Sequence, residues 1–250
     1  MGGVPMRRVL FHWFGRPVYS YATMLYLGAV LGIYVQLYAA LLVGLDVAAT
    51  LSVTLVLLVI ALLGARLLHV IVNWRVYREH PRRFFQFSNG GASMYGGLLM
   101  AVPLSLPLLA AFGLPFGTFW DLASLTILVG MIVARVGCFL NGCCAGRPTS
   151  GWWGVDLPNH RGVWRRRVPV QILEIAWGLV VLAGAILLWG RLFFQGALFF
   201  YVVGAYGAGR IVLESLRDEP DRILGMSVHK VISTGFVAVS LAAFAAAWLR

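Results

Sequence analysis

Residues 48–72 read AATLSVTLVLLVIALLGARLLHVIV, a run in which Arg66 is the only formal charge. Crossing about 30 Å of hydrocarbon takes about 20 apolar residues in a helix, so this stretch reads as a membrane span. Six further segments have the same character: Val18–Leu42, Ala92–Phe112, Leu122–Leu140, Val168–Leu188, Gly196–Leu213 and Val228–Leu249. With 60% hydrophobic and 12% charged residues, the chain has too little polar surface to cover a water-soluble globule of 250 residues. The first segment is longer than a signal peptide core and lacks a small-residue cleavage site after it, so it is expected to remain as a helix. The expectation is an all-α integral membrane protein: one polytopic domain over residues 1–250, seven transmembrane helices, and a small loop-built cap on one side.

Seven alternating spans put the three longer connections, Asn73–Gly91, Asn141–Arg167 and Glu214–Ser227, on one side, where a site is expected. Arg66, Arg135 and Arg210 lie inside apolar segments, toward the ends that open on that side. A charge at membrane depth costs roughly 2.5–3.5 kcal/mol on insertion scales unless it meets a partner or a wet cavity. Three guanidinium forks from three helices converging on one mouth suit an anion, phosphate above all. For Arg66 alone, the alternative is a stem that carries the charge out to the headgroups. Arg210 shares a helix face with Tyr206 and Glu214, at i−4 and i+4.

The further motifs stand in a fixed order. They are Tyr21, then Gly64-Ala65-Arg66-Leu67, then Gly90-Gly91-Ala92-Ser93-Met94-Tyr95-Gly96-Gly97-Leu98, then Asp121. Arg135-Val136-Gly137 follows, with Asn141, Gly142 and Gly146-Arg147-Pro148-Thr149. Next come Pro169, Gln171 and Glu174, then Tyr206-Gly207, Arg210, Glu214, Arg217, Pro220 and Asp221, and last Gly225-Met226-Ser227. In this order and spacing the chain resembles the prolipoprotein diacylglyceryl transferases over almost its whole length. The resemblance implies a multi-pass protein of the bacterial plasma membrane that moves a diacylglyceryl group from phosphatidylglycerol to the cysteine thiol of a lipoprotein precursor, releasing glycerol phosphate. Its expected partners are that lipid, the precursor peptide and membrane lipids, with no nucleic acid and no metal or organic cofactor. It further implies that Arg135 and Arg210 neutralise the leaving phosphate. Tyr206 and Asn141 would orient phosphate or glycerol, Tyr21 would line the lipid cleft, and Arg66 and Gly146 would belong to the substrate site. Glu174 and Glu214 would hold the arginines.

The departures from the family pattern fall in the chemistry. Tyr95 occupies the place of a histidine that would help deprotonate the thiol, and Cys138 and Cys143 replace an asparagine and an acidic residue. Tyr95 is the base candidate in the vacated slot. His69, one turn from Arg66, is either a replacement base or a packing residue. Two rival readings keep the phospholipid site: a transferase with another acceptor that relays through a cysteine, and a non-catalytic lipid-binding protein. A quinone-coupled thiol oxidoreductase is disfavoured, because such work generally needs two cysteine pairs.

Cys138, Cys143 and Cys144 are the only cysteines, and all lie in the Arg135 signature. Packing, a disulfide and thiolate chemistry beside Arg135 and Arg147 are each open to them. Three thiols are too few for an all-cysteine tetrahedral zinc site unless His160 supplies a fourth ligand. Trp152, Trp153 and Trp164 read as interfacial anchors, and Arg165, Arg166 and Arg167 as a cluster touching anionic headgroups. Outside the spans, or in the first turn of the last one for Lys230, 15 Lys and Arg fall on the side of the long loops and 2 on the other. That bias puts the site in the cytoplasm by the positive-inside rule, whereas the family resemblance puts it on the outer face, with these arginines recruiting anionic lipid.

Overall fold

The computed structural model describes residues 7–79, 94–158, 163–192, 194–218, 222–223 and 226–249. The elements run β1 (Val9–Trp13), β2 (Arg16–Tyr19), α1 (Ser20–Leu42), α2 (Val47–Val72), α3 (Trp74–Glu79), α4 (Met94–Ala111), α5 (Phe116–Asn141), β3 (Val155–Pro158), β4 (Trp164–Arg167), α6 (Val170–Leu188), α7 (Ala197–Glu214), β5 (Arg222–Ile223), β6 (Met226–Ser227) and α8 (Val228–Trp248). Six helices are long and apolar enough to span a bilayer, and α4 is a seventh apolar helix. The chain is an all-α integral membrane protein. Leucine and valine side chains such as Leu55, Val59, Leu62, Leu187 and Leu241 stay exposed, as a surface facing lipid requires.

The expected spans coincide with the helices to within a few residues except in α5, which starts at Phe116 rather than Leu122. The extra turn carries Asp121, and its charge finds a partner. Its carboxylate accepts the backbone N–H groups of Gly196 and Phe199 at 2.8 and 2.9 Å, capping α7 from a neighbouring helix. Pro103 and Pro107 lie inside α4, where packing against other helices offsets the lost hydrogen bonds.

α5 is the central helix, packed on α1, α6 and α7, while α2 pairs with α4 and α7 with α8. Small residues set these approaches, as expected for helices that gain little from apolar burial in lipid. A Cβ on Gly64 would lie 2.5 Å from the carbonyl oxygen of Gly96, so α2 and α4 meet backbone to backbone there. Midway along the bundle, fully buried Gln36 joins three helices. It donates to Thr54 Oγ1 at 3.0 Å and accepts from Thr126 Oγ1 at 2.7 Å.

The cap is more regular than expected. Three antiparallel two-stranded pieces, β1–β2, β3–β4 and β5–β6, all lie at the end of the bundle that receives the C-termini of α5 and α7. Arg8 Nε donates to the Asn141 carbonyl at 3.2 Å and ties the N-terminal hairpin to α5. Residues 146–148 run between two other segments, bridging Gly146 to Arg217 and Pro148 to Arg167. A Cβ on Gly146 would stand 2.7 Å from the carbonyl oxygens of both Leu216 and Val168, so only glycine fits. Arg167 departs from its expected surface role. It is buried, and it bonds Asp218 at 2.6 Å and the Gly146 carbonyl at 3.3 Å. Arg165 and Arg166 are exposed, with Arg166 donating to the Trp152 carbonyl.

Candidate active site

α6 begins after Pro169, and its first two turns carry Gln171 and Glu174 on one face, directed at the end of α5. Both are fully buried. Glu174 is the centre of the site. One of its oxygens meets Arg135 Nε of α5 at 2.5 Å; the other accepts a short bond from Arg210 Nη1 of α7 and lies 3.4 Å from Arg217 Nη2. Arg210 then reaches Glu214, one turn further along α7, through Nη2 at 2.8 Å. Glu214 also accepts from Ser227 Oγ at 3.1 Å and lies 3.8 Å from both Arg217 Nε and His229 Nδ1. Three guanidiniums thus share two carboxylates, which leaves a net charge of +1 with His229 neutral.

Burial divides this network. The side chains of Arg210, Glu174 and Glu214 are 3%, 1% and 1% exposed, whereas Arg135, Arg217 and His229 keep 18%, 16% and 16%. The inner three groups form a closed ion triad and the outer three stay partly exposed. Removing one member of a buried set of charges costs about 3–5 kcal/mol, because its partner is left uncompensated. Pairing with two carboxylates holds the outer guanidiniums in position without neutralising the site.

The structure therefore brings together Arg135, Arg210, Glu174 and Glu214. Tyr206 is buried one turn before Arg210 and within electrostatic reach of Arg135 and Arg210. Tyr21 stands beside the last turns of α5, where a Cβ on Gly137 would approach its backbone at 3.2 Å. The Asn141 side chain lies against the Cys143 thiol. Gly146 shapes the chain crossing that delivers Arg217. Arg66 is buried on α2 with its guanidinium over the Tyr77 ring at 5.5 Å, and His69 turns its ring edge to the same tyrosine. The Gly90–Ser93 part of the third motif, His160, Pro220, Asp221 and Gly225 lie outside the described residues.

Tyr95 is almost fully buried, and its hydroxyl is 2.5 Å from Ser233 Oγ of α8. Its ring packs on His229, with centroids 5.4 Å apart. An imidazole thus stands next to the position where the sequence has tyrosine, supplied by the first turn of α8. Sequence reasoning missed His229 because it reads as a loop-end residue, and missed the place of Arg217 in the network because it follows the end of α7. The family motif containing Arg217 was the only signal for it.

The three cysteines sit on the outer edge of the network. All are free, and their sulfurs lie within 4.8 Å of one another. Arg135 Nη1 is 3.9 Å from Cys138 Sγ. The thiols of Cys138 and Cys143 aimed at Cys144, with Arg217 and Arg135 nearby, hold the Cys144 thiol well below the ordinary cysteine range. For Cys143 the Cys138 contact pulls downward, but its hydrogen bond to Cys144 and its burial push it up overall.

The fold and the site define a polytopic membrane protein with a cluster of shared arginines and carboxylates set into one end of its helix bundle. The model of the prolipoprotein diacylglyceryl transferase family matches residues 8–246, and the chain belongs to that family. A phosphatidylglycerol–prolipoprotein diacylglyceryl transferase of Bacillus cereus (strain G9842) is 27% identical over 251 residues, covering 96% of this chain and 92% of the relative. Similar proteins of the same name from Bacillus mycoides (strain KBAB4) and Bacillus anthracis are each 28% identical over the same shares.

Proposed function

We propose that this protein transfers a diacylglyceryl group from phosphatidylglycerol to the cysteine thiol of a prolipoprotein in the bacterial plasma membrane. The observation that carries this reading is the divided ion network: a closed Glu174–Arg210–Glu214 triad beneath two partly open arginines, Arg135 and Arg217. In the reaction the incoming sulfur forms a bond to the glyceryl carbon while the bond from that carbon to the phosphate-ester oxygen breaks. Glycerol phosphate leaves with the negative charge. Arg135 and Arg217 stabilise that charge where it develops, and Arg210 holds the carboxylates that aim them. His229 takes the thiol proton, with Glu214 behind its Nδ1, while Tyr95 and Ser233 fix its ring from the side. Tyr21, Tyr206 and Asn141 line the path to the leaving group, and Arg66, buried on α2 against Tyr77, adds positive charge to that side of the site.

The experiment supplies labelled phosphatidylglycerol and a precursor peptide to the purified protein. A thioether-linked diacylglyceryl peptide together with free glycerol phosphate is expected. Lipid binding without either product would instead favour the non-catalytic reading. An exported acceptor also requires the site to face outward, against the 15 to 2 charge bias. Recruitment of anionic lipid by arginines around the site accounts for that bias. An impermeant thiol reagent should therefore label Gly2→Cys, in a chain whose native cysteines are serine, in intact spheroplasts. Labelling only after lysis would refute the outward orientation.

A further inference from the structure

We propose that Cys138, Cys143 and Cys144 form a trigonal three-thiolate site for a soft metal ion of the Cu(I) class. Around one ion with metal–sulfur distances of about 2.3 Å, as thiolates make to zinc, three sulfurs in a plane stand about 4 Å apart. The three sulfurs here are all within 4.8 Å of one another, so closing on an ion takes less than about 1 Å of movement. None is tied up in a disulfide.

The backbone brings the sulfurs together at some expense. α5 ends at Gly142, whose φ of +70° reverses the chain. The N–H groups of Gly142 and Cys143 return to the carbonyls of Phe139 and Cys138 at 3.1 Å each, the paired bonds of a Schellman motif. That closure carries Cys143 back over Cys138. Cys144 then adopts a φ of +64°, a left-handed conformation that costs a residue with a Cβ roughly 1–2 kcal/mol. Glycine would adopt it without strain, yet the position holds a third thiol. Fully buried Gln171 clamps the turn by donating to the Cys143 carbonyl at 2.6 Å.

The chemistry of the donor set selects the ion. Thiolates are soft ligands and favour Cu(I) and zinc over hard cations. Closed zinc sites take four protein ligands, whereas the group among the described residues offers three. The objection from ligand count raised for zinc disappears for an ion satisfied by three sulfurs. Three thiolates and a monovalent ion carry a net charge of −2, and the surplus positive charge of the neighbouring network, presented by Arg135 and Arg217, offsets part of it. Access is graded as well: Cys144 is exposed, Cys143 half-buried and Cys138 buried, so an ion can pass inward from one sulfur to the next.

The test loads the reduced, detergent-purified full chain with Cu(I) alone and dialyses it against a chromogenic Cu(I) chelator. One retained Cu(I) per chain, an ultraviolet sulfur-to-metal band, and protection of all three thiols from alkylation in the same sample are the expected results. Cys144→Ser should weaken retention by about 10- to 100-fold or more. The protection measurement uses the native chain, so it decides the matter even where the variant fails to fold. Three thiols that alkylate equally fast with and without Cu(I) would overturn the site. So would equal retention by the triple serine variant, or displacement of Cu(I) by equimolar zinc. None of these readouts depends on transferase activity.

Discussion

Two buried polar networks in this bundle are built for different ends. At mid-depth, Gln36, Thr54 and Thr126 satisfy one another across three helices, and Asp121 is satisfied by the N-terminus of α7. Each closes on itself and presents nothing to a ligand. At the capped end, Glu174 and Glu214 are shared among three arginines, and the outer members keep 16–18% of their side-chain surface open. The difference teaches that burial of a polar group in a membrane bundle marks a site only where the partners fail to cancel. The closed networks position helices, and the unbalanced one keeps an excess positive charge, the feature on which the proposed phosphate role rests.

The largest effect is expected at the shared carboxylate. Glu174→Ala leaves Arg210 buried beside a single carboxylate and should cost about 3–5 kcal/mol of stability, read as lost accumulation or a lowered Tm in detergent. A stable Glu174→Ala protein would erase the distinction between the inner triad and the outer arginines. Next, Arg135→Ala should reduce transfer by about 10²–10³-fold while the protein stays folded. Arg135→Lys should restore little of that loss, because an ammonium lacks the guanidinium fork. Arg165→Ala, on the exposed strand β4, should leave transfer near the native rate.

His229 sharpens the comparison from the side of the base. His229→Gln should lower transfer by about 10²–10⁴-fold near neutral pH, and Tyr95→Phe should lower it less. A silent His229→Gln with a severe Tyr95→Phe would return the base role to the tyrosine. The smallest effect belongs to the closed network. Asp121→Ala removes the cap on α7 and should cost about 1–2 kcal/mol of stability with kcat unchanged. A selective loss of kcat in that variant would mean that Asp121 does more than hold a helix.

Much of this was legible in the amino-acid order. The seven spans followed from segment length and hydropathy, because each must shield its own backbone from lipid. Arg66, Arg135 and Arg210 stood out as charges at depth, Glu214 as the i+4 neighbour of Arg210, and Glu174 through the family resemblance. Arg167 misled, because three consecutive arginines read as one exposed patch. Arg167 is buried because the end of β4 also bridges to Pro148 and meets Asp218, whereas Arg165 and Arg166, farther along the strand, stay exposed. His229 was invisible because nothing local marks it, and its role depends on α8 meeting Tyr95 across a sequence separation of more than a hundred residues.

By itself the sequence determined the class of protein, the number of spans and which charges had to find partners, since hydrophobicity and desolvation cost act on each segment locally. The tertiary structure alone decided which guanidinium is locked between two carboxylates and which stay partly exposed, which imidazole stands beside Tyr95, and that three thiols converge at one turn. Those outcomes depend on helix rotation and chain crossing. Backbone contacts such as Gly64 on Gly96 and Gly146 between Val168 and Leu216 set them, and no single segment contains both sides of such a contact.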